Sequence, residues 1–180
     1  MQIHRQVSVL VVVATALGSG ACWADPSSDD AAIRAALAYI TKAYVAKDAK
    51  AAMAPYSASV VTFDIMPPLQ AVGFERNLET TQTVLDATVG PFTVDYSDIN
   101  ITVDHNHAYG RYIVHVAGKL KDGRQIDMLE RTTDVWQKIK GKWLIVHEHN
   151  SVPIDMVTGK ANMKAPMGGV AVPFEPPNGG

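Results

Sequence analysis

Cysteine is almost absent from this chain: Cys22 is the only one in 180 residues. That excludes an internal disulfide framework, and a fold exported without one must be held by its core. Excess positive charge is also missing. Sixteen Lys and Arg against eighteen Asp and Glu give a net charge of −2, which excludes nucleic acid as a partner, because phosphate binding needs clustered Lys and Arg. Aromatics make up only 7% of the residues. The longest apolar run, residues 7–17, is too short to span a bilayer.

That run has a use of its own. His4 and Arg5 precede it and Ala21-Cys22-Trp23-Ala24 follow it, so residues 1–24 read as a secretory signal cut after Ala24 or, alternatively, Ala21. The expected location is periplasmic or secreted, with no transmembrane span in the mature chain. A competing reading makes Cys22 the lipidated first residue of a lipoprotein, although Ser19 stands three residues earlier, where such signals carry an apolar residue. Losing residues 1–24 removes Arg5 and no acidic residue, so the mature charge becomes −3. It also removes the only thiol.

What remains has room for one core and little for a second domain. Ser27, Ser28, Asp29 and Asp30 offer caps for a helix whose Ile33, Leu37, Ile40 and Tyr44 form a single stripe, widened by Ala36, Tyr39 and Ala43. Asp48 can cap a short helix over 49–54, closed by Pro55. A strand is predicted over 59–64, and a polar helix over 75–87 after Gly73. From residue 92 onward almost everything is strand signal: 92–103, 109–120, 125–137 and 143–151, with turns at His105-Asn106, Asp122-Gly123 and Lys140-Gly141. Helices followed by an antiparallel meander predict an α+β domain. Residues 154–180 hold four prolines, five glycines and no periodicity, and predict an extended, partly disordered tail. Met156, Met163 and Met167 there could suit a soft metal, but they are irregularly spaced and have no His or Cys nearby.

Several of these stretches carry a family resemblance. The helix with AYITKAY, the strand ending Phe63-Asp64 before a Pro-containing loop and Gly73, and the hairpin RTTDVWQKIKGKWLIVHEHNS from Arg131 to Ser151 resemble the nuclear transport factor two-like superfamily, in its SnoaL-like, ketosteroid isomerase-like branch. The resemblance covers the domain at residues 25–153. It implies a curved antiparallel sheet wrapped around the N-terminal helices, a cystatin-like roll whose cone-shaped interior binds a small molecule without cofactor or metal. It also implies a homodimer paired through the outer face of the sheet. The fold hosts enzymes, carriers and assembly domains alike.

By the same resemblance Asp64 takes the place of the isomerases' catalytic base, and Tyr39 that of their tyrosine donor. Counting back from Gly141 puts Thr133 where those enzymes hold a protonated aspartate, with Asp134 on the opposite face. The residues also speak for themselves. Asp64 follows an apolar strand and could be desolvated into a useful base, or could simply cap the loop through its own backbone. Residues two apart on a strand share a face, which would put His147 and His149 together with Arg131 at the polar end of the cavity, as substrate-orienting or proton-shuttling groups. Phe63 and Trp143 join them as ligand contacts. His105/His107 and His147/His149 are two His-x-His pairs, yet no third ligand has diagnostic spacing, so no metal is assigned.

Two functions stand open on this reading. One is an isomerase or lyase moving a proton on a largely apolar carbonyl compound. The other is a non-catalytic periplasmic ligand-binding or dimeric assembly module. A third possibility gives the tail a partner of its own.

Overall fold

The structure is a computed structural model that describes residues 28–165. The signal-peptide and Cys22 readings, and the tail beyond residue 165, lie outside those residues.

Helix α1 (Ser28–Val45) buries Ile33, Leu37, Ile40 and Ala43, the stripe its spacing predicts. Asp48 caps α2 (Ala49–Met53) by accepting from the Ala51 backbone N–H, which satisfies one of the orphan donors of that first turn. Strand β1 (Tyr56–Phe63) leads through a loop and a two-residue strand, β2 (Ala71–Val72), into α3 (Phe74–Ala87). The remaining strands are β3 (Thr88–Asp104), β4 (His107–Leu120), β5 (Gln125–Ile139) and β6 (Lys142–Ser151). The short β2 had no sequence signal of its own, being too brief to show alternation.

The six strands form one curved, unclosed sheet in the order β2-β1-β6-β5-β4-β3. Every pairing is antiparallel except β1 with β6, where the chain returns to lay its last strand beside its first. Lys140 and Gly141, with φ of 50° and 79°, make the two-residue turn of the β5–β6 hairpin, whose twist suits the flanking strands. Register shifts in β3 between Val89 and Phe92 and between Ser97 and Asn100 bend this long strand, as bulges do.

Helices and sheet meet in one apolar core that includes Ile33, Leu37, Ile40, Val60, Leu85, Tyr112, Trp136 and Ile145. Burying each large side chain there contributes about 1.5–3 kcal/mol. One polar tie fixes α1 against the hairpin: Asp29 Oδ1 accepts from Lys138 Nζ at 2.6 Å and from Trp143 Nε1 at 2.9 Å. The Lys138 bond, then that of Trp143, holds the Asp29 carboxyl below its usual range. Past Ser151 the described residues keep contacts with one another and with the sheet. Ile154 bridges Ala161, the Leu129 N–H donates to the Met163 carbonyl, and Lys164 reaches Asp127.

Gly110 serves a close approach. The Tyr112 phenol lies over it, receiving a hydrogen bond from Trp136 Nε1 at 3.0 Å, and a Cβ at position 110 would sit 1.8 Å from the Tyr112 hydroxyl oxygen. Gly110→Ala is therefore expected to push the ring off its partner and destabilise the fold by about 1–3 kcal/mol in denaturant titration. An unchanged midpoint would mean that the ring relocates without loss.

Candidate active site

The concave side of the sheet and the three helices enclose a cavity of about 150 Å³. Tyr44 enters it from α1, Met53 from α2, Asn77 and Thr81 from α3, and Phe92, Val94 and Tyr96 from β3. Glu130 on β5 and Glu148 and Asn150 on β6 supply a polar wall, and Asp64 stands exposed at the rim, just past β1.

A bulge decides this composition. Along the β5–β6 hairpin Trp136 pairs with Ile145, but Val135 pairs with His147, so Val146 is an extra residue in β6. Before the bulge the odd positions Trp143 and Ile145 face the core; after it the even positions Glu148 and Asn150 face the cavity. On β5, which has no extra residue, Glu130, Thr132, Asp134 and Trp136 share the inner face throughout.

Several expected site residues therefore stand elsewhere. Arg131 and Thr133 are exposed on the outer face of β5, and His149 is exposed on the outer face of β6, with His147 half-buried beside it. Asp134, not Thr133, faces inward. Phe63 also lies on the outer face, its ring edge-on to His147 at 4.9 Å and to His149 at 5.8 Å between centroids. The Nδ1–H of His147 donates to the Val61 carbonyl at 2.8 Å. Tyr39 is 48% exposed on the outside of α1, because it lies off the Ile33-Leu37-Ile40 stripe; Tyr44, four residues past Ile40, is the helix tyrosine that reaches the cavity. Trp143 is a core residue tied to Asp29 and lines no part of the cavity. Among the expected site residues only Asp64 lines it, and its Oδ1 also caps the loop by accepting from the Met66 N–H at 2.9 Å. Among the described residues no cluster of three or more His, Cys, Asp or Glu is arranged to hold a metal ion.

The polar wall is a connected network. The Thr132 hydroxyl donates to Asn150 Oδ1 at 2.6 Å, Asn150 Nδ2 donates to Glu148 Oε1 at 3.1 Å, and the Tyr56 hydroxyl donates to Glu148 Oε2 at 2.6 Å. Both oxygens of Glu148 are thus held, a chain in which each bond polarises the next. Burial raises the Glu148 carboxyl, while the bonds from Tyr56 and Asn150 pull it part of the way back. Its cross-strand partner Asp134 is fully buried with neither oxygen hydrogen-bonded, so burial and then the neighbouring Glu148 charge push it well above the usual range. Asp134 is the neutral member of that pair and Glu148 the one equipped to carry charge.

Glu130 is 8% exposed and lines the cavity without a hydrogen bond; burial, then Asp64 and Glu148, push its carboxyl up to about 8. Burial likewise raises the phenols of Tyr44, Tyr56 and Tyr96, which keeps them protonated. The arrangement offers a held carboxylate, neutral acids and phenol donors around one small space, the equipment of general acid–base chemistry. Sequence reasoning missed Glu130, Glu148, Asn150, Tyr56 and Tyr96 as site residues. The available signal was Trp136: a core tryptophan puts every even-numbered neighbour on β5 on the inner face.

Comparison with known proteins agrees with this architecture. Residues 33–155 match the family model of the SnoaL-like domain. A nuclear transport factor 2-like protein of unknown function from Pseudomonas putida KT2440 superposes with a TM-score of 0.69 at 22% identity, covering 77% of this chain and 96% of that one. A superfamily protein of the same kind from Salmonella enterica serovar Typhimurium LT2 gives 0.62 at 21%, covering 72% and 94%. A ketosteroid isomerase-like protein from Erwinia carotovora atroseptica SCRI1043 gives 0.60 at 19%, covering 69% and 96%. At such identities these likenesses speak for the fold alone. No match is found among curated proteins.

The raised Glu130 carboxyl has a consequence for stability. A group whose folded pKa lies above its unfolded value of 4.5 binds its proton more tightly in the folded state, so its contribution is full below about pH 4.5 and is lost as pH rises through about 8. The melting temperature is expected to fall by several degrees between pH 5 and pH 9, and Glu130→Gln to flatten much of that slope. Equal slopes for the two proteins in calorimetry would sink this assignment.

Proposed function

We propose that this chain, which belongs to the SnoaL-like family, is an exported enzyme that moves a proton on a small, largely apolar carbonyl compound, in a reaction of isomerase or lyase type. The observation that carries the proposal is Glu148, a half-buried carboxylate held at both oxygens by Tyr56 and Asn150 and lining the cavity.

In this reading Glu148 takes a proton from the carbon next to the carbonyl. The C–H electrons move into a new C=C bond as the carbonyl oxygen gains negative charge. Tyr96, which lines the same cavity and keeps its proton, donates to that oxygen. Isomerisation ends when Glu148 returns the proton at another carbon; elimination ends when a leaving group departs instead. Asp64, exposed at the rim, has the lesser part of gating or guiding substrate. The apolar leader at residues 1–24 supports action in the periplasm or outside the cell.

The natural substrate is not needed for a test. Exchange of the acidic C–H protons of a cyclic ketone in D2O, followed by NMR, reads the proton-transfer step directly. Glu148→Gln is expected to slow protein-dependent exchange by at least about a hundredfold, and Asp64→Asn by far less. Exchange at the wild-type rate in Glu148→Gln would remove Glu148 as the base.

Pairing of two copies through the outer sheet face is part of the same proposal. Tyr109 and Phe63 are 50% and 39% exposed there, on a face that also carries Arg131, Thr133 and His149. Sedimentation of the full chain is expected to give a dimer, and Tyr109→Arg a monomer; a wild-type monomer would refute this pairing.

A further inference from the structure

We infer that the ligand of this cavity carries a positive charge in addition to its carbonyl group, a small organic ammonium compound about one ring in size. The inference rests on the same cavity as the proton-transfer reading, but it concerns recognition and can fail separately.

Three carboxyl groups, Asp64, Glu130 and Glu148, line a space of about 150 Å³, and no Lys, Arg or His is among the lining residues. Buried carboxylates are ordinarily matched by a cation or by donors. Glu148 has its donors in Tyr56 and Asn150, and Asp64 has the Met66 N–H. Glu130 has neither donor nor cation, although it is more than nine-tenths buried and lines the cavity. The titratable groups around it are all acids: Asp64 and Glu148 act on it directly, and the phenols of Tyr44, Tyr56 and Tyr96 line the same space. Nothing the protein supplies would neutralise Glu130 once it ionises. An ammonium group would.

The rest of the lining suits the rest of such a ligand. Tyr44 and Phe92, with ring centroids 5.9 Å apart, stand with Tyr56 and Tyr96 around the cavity, and aromatic faces attract cations as well as apolar rings. An apolar cavity of about this volume holds benzene, which sets the size class. An anion would meet a wall of carboxyl groups and no counter-ion. A neutral molecule would leave the proton on Glu130 and gain nothing from its charge. Charge selection in favour of a cation follows, and so does proton release: the ligand takes the place of a proton that the empty cavity holds on Glu130.

The test uses three probes with the same ring: benzylammonium, benzyl alcohol and benzoate. Binding to the full-length protein is measured calorimetrically at pH 7 in two buffers of different ionisation enthalpy. Benzylammonium is expected to bind at least about tenfold tighter than benzyl alcohol, with benzoate weakest, and to release protons on binding. Glu130→Gln is expected to erase most of the preference. Should that variant fail to fold, proton release by the wild-type protein reads the same displacement. Equal or tighter binding of benzyl alcohol or benzoate overturns the inference, as does binding of none of the three. Neither result touches the base assignment, which deuterium exchange in Glu148→Gln decides independently.

Discussion

The extra residue Val146 in β6 governs which chemistry faces the cavity. A strand alternates its side chains with a period of two, so one added residue exchanges the two faces from that point to the strand end. Upstream of the bulge, β6 gives Trp143 and Ile145 to the core. Downstream, it gives Glu148 and Asn150 to the cavity and leaves His147 and His149 outside. Without the bulge the wall opposite the helices would be imidazole, and the Tyr56–Glu148–Asn150–Thr132 network could not form. The rest of the site depends on this local count: Tyr56 finds its acceptor only because Glu148 points inward, and Asp134, already raised by burial, is raised further by Glu148 as its inward-facing partner across the strands.

Concentrating carboxyl groups in a small cavity works against folding, and the fold answers in three ways. Glu148 is given two donors, so its charge is spread through a hydrogen-bonded chain. Asp134 is sealed away with no donor and stays neutral. Glu130 is left exposed to the cavity alone, where a proton or a ligand can reach it. The apolar core on either side, from Ile33 and Leu37 to Trp136 and Ile145, supplies the stability that such an arrangement subtracts. Sites that work by acid–base chemistry commonly sacrifice local stability in this manner, because the same desolvation that destabilises a carboxylate raises its basicity.

The helices and long strands were legible in the sequence because each rests on a repeated signal. Ile33, Leu37 and Ile40 mark α1, and alternation over many residues marks β3 to β6 within a few positions of their observed ends. Faces of strands were legible only where nothing interrupts the count. On β5 the inner set follows from Trp136, yet counting back from the turn assigned Thr133 inward and Asp134 outward. On β6 the run of Trp143 to His149 contains no glycine or proline to announce a bulge, so Ile145 appeared to share a face with His147 and His149. Tyr39 matched the family position in its Tyr-Ile context, while the helical stripe itself ends at Tyr44, the tyrosine that reaches the cavity. Asp64 does line the cavity, at its exposed rim, because a strand end before a Pro-containing loop is defined by local chemistry and needs no long count.

The two faces of the hairpin divide the chain's polar residues by the solvent they meet. His147, His149 and Arg131 lie on the outer face with Phe63 and Tyr109. Glu130, Asp134 and Glu148 lie inside, where burial alters what they can do. A carboxylate on the outer face would be an ordinary surface charge, and a buried imidazole would tend to lose its proton instead of gaining a task. Displacing the polar set by one position would therefore not give a weaker version of the same site. It would give a neutral or cationic pocket with the opposite preference for ligand charge. In a fold whose sheet is reused for many purposes, the position of a single bulge is enough to turn an anion-accepting cavity into one that favours a cation.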